Sequence, residues 1–249
     1  CELDDRGVLA VTIDRPDSLN AIDDAIREEV VELLRGVDDG AVRCVTFEGA
    51  GEKAFSAGAD VDSVADRTPA EAVDTTPMYD VVADYPRPTL AAIRGYCLGG
   101  GHELALACDL RVATTDAEFG FPETGLGLLP GGGGTQRLVR LVGEARAKEL
   151  VFRGNRVDAD RAAEWGLINR AVPPGEFEET VAEYVTDLVS GPPLALKLAK
   201  SVLTHAEDTS RAAGAAMESQ AFGFLTTTED FAEGRRAFRE DRDPEFEGR

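Results

Sequence analysis

Lysine is scarce in this 249-residue chain: there are four, at positions 53, 148, 197 and 200, beside 22 arginines. Against 47 acidic residues these leave a formal net charge of −21. Such a surface repels nucleic acid and anionic membranes, so neither is expected as a partner. An acid-rich, lysine-poor surface also fits work in concentrated salt, where self-repulsion is screened. A halophilic source is therefore expected, and an unchanged fold after dialysis into dilute buffer would count against it. Histidine is scarcer still, with two residues. His102 precedes Glu103, but no second histidine follows at helical spacing, so an HExxH zinc site is excluded and no metal is expected. The four cysteines show no CxxC spacing and read as free, mostly buried thiols of a cytosolic protein. No apolar run approaches a membrane span, and no export signal is read, so a cytoplasmic location is expected.

What the chain does have is alternation. "GVLAVTID" (residues 7–14), "RCVTFEG" (43–49) and "TLAAIRGYC" (89–97) read as strands, and "DLRVAT" (109–114) as a fourth. Between the first two, Ile22, Ile26, Val30, Leu33, Leu34 and Val37 fall on one helical face. Strand and helix thus recur, which predicts an α/β core. From about Gly143 the pattern becomes helical, punctuated by Pro173-Pro174 and Gly191-Pro192-Pro193. Residues 1–190 are expected to form the core with the active site. Residues 191–249 are expected to be a helical region whose apolar faces, carrying Leu194, Leu198 and Val202, pack on another subunit.

Three glycine-bearing stretches carry the chemistry: "FSAGAD" (55–60), "GGGHELALACD" (99–109) and "FGFPETGLGLLPGGGGTQRL" (119–138). None is a P-loop, because "PGGGGTQR" lacks the lysine. None is a dinucleotide fingerprint, because Gly125-x-Gly127 has no third glycine in place. Ser56 is not in a GxSxG elbow. The remaining use is a cradle of backbone N–H groups. The helix after Gly99 opens with N–H groups that lack intrahelical partners and bear the positive end of the dipole. A second Gly-centred turn in "SAGAD" offers another donor, and two such donors form an oxyanion hole. Taken singly, Glu103 and Glu123 read as ordinary acids of a helix and a loop.

Together with "RPDSLNA" (15–21) and the tail "EDFAEGRRAFREDRDPEF", these stretches resemble the crotonase superfamily, the enoyl-CoA hydratase/isomerase family, over nearly the whole chain. The resemblance implies a crotonase-like spiral of ββα units followed by C-terminal helices that assemble a homotrimer or homohexamer. It implies an acyl-CoA thioester substrate, reversible syn hydration of a trans-2-enoyl-CoA to a 3-hydroxyacyl-CoA, and no cofactor beyond the coenzyme A the substrate carries. Carried over, the oxyanion donors are the N–H groups of Ala59 and Gly100. Glu103 is the base towards water, Glu123 the acid towards C2, and Gly131 an added backbone contact to that water. Coenzyme A contacts fall to Ala57 and Gly58, with Arg15, Lys53, Lys197 and Lys200 as candidates for the phosphates. Residues 61–87 cover the acyl pocket by analogy, where Met78, Tyr79 and Val82 line the pocket or fill the core. His102 is assigned to packing or hydrogen bonding. A Δ3,Δ2-enoyl-CoA isomerase and a non-catalytic RNA-binding homologue are the rival readings.

Overall fold

In the computed structural model, residues 1–38, 40–65, 68, 78–206 and 208–249 are described. Much of the expected acyl-pocket segment, residues 66, 67 and 69–77, therefore lies outside them. The chain builds two sheets at once. Strands β1 (Glu2–Leu3), β2 (Val8–Ile13), β3 (Cys44–Gly49), β5 (Thr89–Ile93), β7 (Leu110–Thr114) and β10 (Arg170–Val172) form the larger one, in the order β1-β2-β3-β5-β7-β10. Strands β4 (Ala54–Ser56), β6 (Tyr96–Leu98), β8 (Glu118–Gly120) and β9 (Arg156–Asp158) form the smaller one in that order. Within the larger sheet all pairings but β1–β2 are parallel.

Successive strands go to alternate sheets: β3 then β4, β5 then β6, β7 then β8. After each pair comes a helical element: α2 (Val61–Ala65), α4 (Gly100–Ala107) and a 3-10 turn (Pro122–Leu126). This repeat is the expected spiral. The predicted single strand over 89–97 is in fact two, divided at Gly95. That residue has φ of 58°, and a Cβ on it would collide with the Lys53 carbonyl, so the chain can turn there from one sheet to the other.

Helix α1 (Asp24–Gly36) begins where Asp23 accepts a hydrogen bond from the Ile26 N–H at 2.9 Å. Its Val30, Val31 and Leu34 enter the main core with Val45, Phe47, Phe55, Leu104 and Phe119. Arg27 is buried as well. Helix α3 (Met78–Ala83) sends Met78, Tyr79 and Val82 into the same core. The outer face of the large sheet, with Val8, Leu90, Val112 and Val172, is closed by Phe177 and Val185 of α8 (Phe177–Ser190). Between these lie α5 (Gly134–Val142), α6 (Glu144–Arg153) and α7 (Ala159–Glu164). The last helices are α9 (Pro193–Thr204), α10 (Arg211–Leu225) and α11 (Glu229–Glu240), and α10 buries none of its residues.

Candidate active site

The site is built at the ends of three neighbouring parallel strands of the small sheet, β4, β6 and β8. Ala59 follows β4, Gly100 follows β6 and Glu123 follows β8, each within three residues of the strand end. The carboxyl ends of parallel strands are where ligands settle in α/β folds.

The turn after β4 is held against residue 22. The Ile22 N–H donates to the Gly58 carbonyl at 2.8 Å, and the Asp60 N–H to the Ile22 carbonyl at 2.9 Å. Ala59 is thus bridged on both flanks, in a parallel pairing, and its own N–H points to the opposite side. Gly100 opens α4 directly after Gly99, so its N–H belongs to the first turn, whose donors lack intrahelical acceptors. A Cβ added at Gly100 would stand 3.2 Å from the Ala59 nitrogen and 2.8 Å from the Tyr79 hydroxyl oxygen. The Ala59 nitrogen therefore borders the space that a side chain at position 100 would fill.

Glu103 lies one turn further along α4, a helix whose every residue is buried. Its side chain turns towards the glycine loop before α5: Oε1 accepts from the Gly132 N–H at 2.7 Å and the Gly134 N–H at 2.9 Å. Burial, at 4% exposure, raises its pKa, while those amides and the charges of Arg27 and Arg137 pull the other way. Glu123 is half-buried, in the 3-10 turn. Its Oε1 would lie 3.0 Å from a Cβ on Gly99, which sets it beside the start of α4. Its Oε2 is buried without a hydrogen-bond partner. Burial, and then the Glu103 charge, push its carboxyl up to about 7. Burial raises both carboxyls, but amides and cations oppose it at Glu103, whereas Glu123 also faces the Glu103 charge. Unequal surroundings of this kind push the pKa values of a pair of acids apart.

The other expected site residues scatter. Gly131 is exposed, and the amides that reach Glu103 are those of Gly132 and Gly134. Lys200 is corrected: its Nζ lies 2.8 Å from Asp109 Oδ2 and 3.2 Å from the Arg87 carbonyl, with the side chain only 9% exposed. That amine pins α9 to the core and is not turned outward to a phosphate. Arg15 spans Asp23 at 3.1 Å and Asp60 at 3.2 Å, which braces the turn carrying Ala59. Lys53 is exposed and Lys197 half-buried. The Ala57 N–H is spent on the Leu19 carbonyl at 2.9 Å, while Gly58 has φ of 117°. His102 packs, as expected: it stacks on Phe121 at 4.5 Å, and burial drives its pKa down to about 3. Arg27, Gly132 and Gly134 are contributors that the sequence did not single out, while Tyr79 was read only as pocket lining or core. A charge set among the apolar positions of α1 was the one legible sign, at Arg27.

Over residues 4–249 the chain matches the enoyl-CoA hydratase/isomerase family model. It is 39% identical to the short-chain-enoyl-CoA hydratase of Clostridium acetobutylicum, with 94% of this chain and 92% of that protein covered. The crotonyl-CoA hydratase of Syntrophomonas wolfei is 37% identical, covering 94% and 92%. The crystal structure of an enoyl-CoA hydratase from Bacillus anthracis superposes with a TM-score of 0.93 at 38% identity, covering 98% of this chain and 96% of the other. With the paired amides and the paired acids, these likenesses leave one placement: the chain belongs to the enoyl-CoA hydratase/isomerase family.

Proposed function

We infer that the protein is an enoyl-CoA hydratase, adding water reversibly and syn across the double bond of a trans-2-enoyl-CoA. The observation that supports this reading is the pair of unequally placed glutamates beside the turns that carry Ala59 and Gly100. The thioester oxygen accepts from the Ala59 and Gly100 N–H groups. Glu103, ionised, takes a proton from water as its oxygen bonds to C3. The electron pair of the double bond moves towards the thioester oxygen, where the amides and the α4 dipole stabilise the growing charge. Glu123, protonated, delivers its proton to C2 on the same face, and the thioester is restored. Glu103 ends protonated and Glu123 ionised, which is the pair needed for the reverse reaction. Every step is a proton transfer or a charge held by fixed dipoles, so the sequence of events calls on no electron carrier. Main chain at Ala57 and Gly58, with Arg15, Lys53 and Lys197, is assigned to the coenzyme A moiety.

The test is to supply crotonyl-CoA and follow loss of its conjugated absorbance. Turnover supports hydration; silence there together with conversion of a 3-enoyl-CoA would make the protein an isomerase instead. Hydration is expected to follow a bell-shaped pH profile. The base must be ionised, so kcat/KM falls on the acid side as Glu103 takes up a proton. The acid must be protonated, so kcat/KM falls again as pH rises through about 7, where Glu123 gives its proton up. The two midpoints belong to the coupled pair. A rate that is flat from pH 5 to 9 would remove both roles.

The C-terminal helices are assigned to a homotrimer or homohexamer. Phe222 is 71% exposed and Phe238 is 89% exposed, beside Phe224, Phe231 and Leu203, which is more apolar surface than an isolated helix pair keeps in water. Light scattering is expected to give three or six chain masses, and a single chain mass at micromolar concentration would refute the assignment. Among the described residues no helix is long and apolar enough to cross a membrane. The buried free thiols of Cys44, Cys97 and Cys108 suit the reducing cytoplasm.

A further inference from the structure

Arg27 breaks the apolar face of α1 and points inward, with its side chain 7% exposed. Its Nε is buried and without a hydrogen-bond partner, and the ion pair with half-exposed Asp24 spans 3.9 Å. A guanidinium is not taken out of water unless negative charge compensates it. The Arg27 Cζ lies 5.9 Å from the centre of the Tyr79 ring. That ring also packs so closely on Gly132 that a Cβ there would collide with it, and its hydroxyl stands beside Gly100. The Gly132 N–H in turn holds Glu103. One aromatic ring therefore neighbours both the buried cation and the loop that clamps the buried carboxylate.

We propose that Arg27 is the counter-charge of Glu103, and that this cation decides which of the two glutamates serves as base. The proposal rests on the hydratase reading and names what makes its two acids unequal. Arg27 touches no reacting atom; it is a positioning residue that acts through Glu103. The charged and titratable groups around Glu103 allow such a role. From α3 come Tyr79 and Asp80, the latter bound at 2.7 Å to Arg137 of α5. Arg137 also donates to the Gly132 carbonyl at 2.8 Å, so it braces the loop from outside with its charge already shared. Glu123 is the one anion from the 3-10 turn. His102, from the same helix as Glu103, is held neutral by burial, and so is the Cys97 thiol of β6. Arg111 sits at the far end of α4, on the Ala105 and Cys108 carbonyls at 3.2 and 2.6 Å. Arg27 thus supplies a buried positive charge whose ion pair with Asp24 is long, at 3.9 Å. In agreement, the fields of Arg27 and Arg137 act on Glu103 against its burial, whereas Glu123 receives no such relief.

The experiment compares wild type with Arg27→Met, Arg27→Gln and Arg27→Lys, using two readouts. In pH profiles of crotonyl-CoA hydration, the Met and Gln variants are expected to lose at least about threefold more kcat/KM at pH 5.5 than at pH 8, and Lys to restore most of it. In carbon NMR of the glutamate side-chain carboxyls, assigned with Glu103→Gln and Glu123→Gln, the Glu103 midpoint is expected at higher pH without the cation. An equal loss at every pH with an unmoved Glu103 midpoint would reduce Arg27 to packing and overturn the proposal. If wild type fails to hydrate crotonyl-CoA, the hydratase reading falls, while the NMR titration of unliganded protein still decides the charge pairing. Arg27→Gln retains a polar, if shorter, side chain, so it keeps that titration available if Met at this site prevents folding.

Discussion

Glu103→Gln and Glu123→Gln are each expected to slow hydration of crotonyl-CoA by at least about 100-fold, the scale of a lost general acid or base. The substitution keeps shape and removes only the ability to exchange a proton. At position 103 the amide oxygen still accepts from the Gly132 and Gly134 N–H groups, so the glycine loop keeps its seat. At position 123 the change removes a half-buried acid that the neighbouring anion disfavours in its charged form, so folding stability should not suffer. Because the two acids act as a unit in one turnover, the double variant is expected to be little slower than either single one. Near-wild-type turnover by both single variants, measured under saturating substrate, would take the two acids out of the chemistry.

Gly100→Ala is expected to separate stability from activity. Alanine is better than glycine in a helix by about 1 kcal/mol, and position 100 is the first residue of α4. The new methyl would stand 3.2 Å from the Ala59 nitrogen, in the space between the two donors. Its other neighbour, the hydroxyl of buried Tyr79 at 2.8 Å, belongs to a ring already packed on Gly132, so its shift offsets that gain. Melting temperature should therefore change little. Turnover should fall by about 100- to 1000-fold, the cost of losing an oxyanion donor in other enzymes, because the thioester oxygen can no longer reach both amides. An alanine variant that melts normally and turns over normally would mean the thioester sits elsewhere.

The parts of this molecule governed by short-range pattern were readable in advance. The apolar spacing of α1 and the glycine-led start of α4 were legible as pattern, whereas the roles given to Ala59, Gly100, Glu103 and Glu123 came with the resemblance to the crotonase family. What could not be read depended on contacts between distant segments. The break at Gly95 follows from the approach of the Lys53 carbonyl, 42 residues earlier in the chain. Lys200 looked like a phosphate ligand because its partner, Asp109, is an anion from a different element. Tyr79 looked like core filling, and it is buried, yet its place between Gly100 and Gly132 comes from how α3 docks. Arg27 is the sharpest case: its spacing on α1 could be seen, but a buried charge has meaning only through what lies across from it.

The two-sheet zigzag has one more consequence. Neighbouring parallel strands stand about 4.8 Å apart, so three adjacent rungs ending together set their next residues within roughly 10 Å of one another. Here Ala59 follows the first rung, Gly100 and Glu103 the middle one, and Glu123 the third. These groups are thereby stationed by the ladder and not by long excursions of the chain.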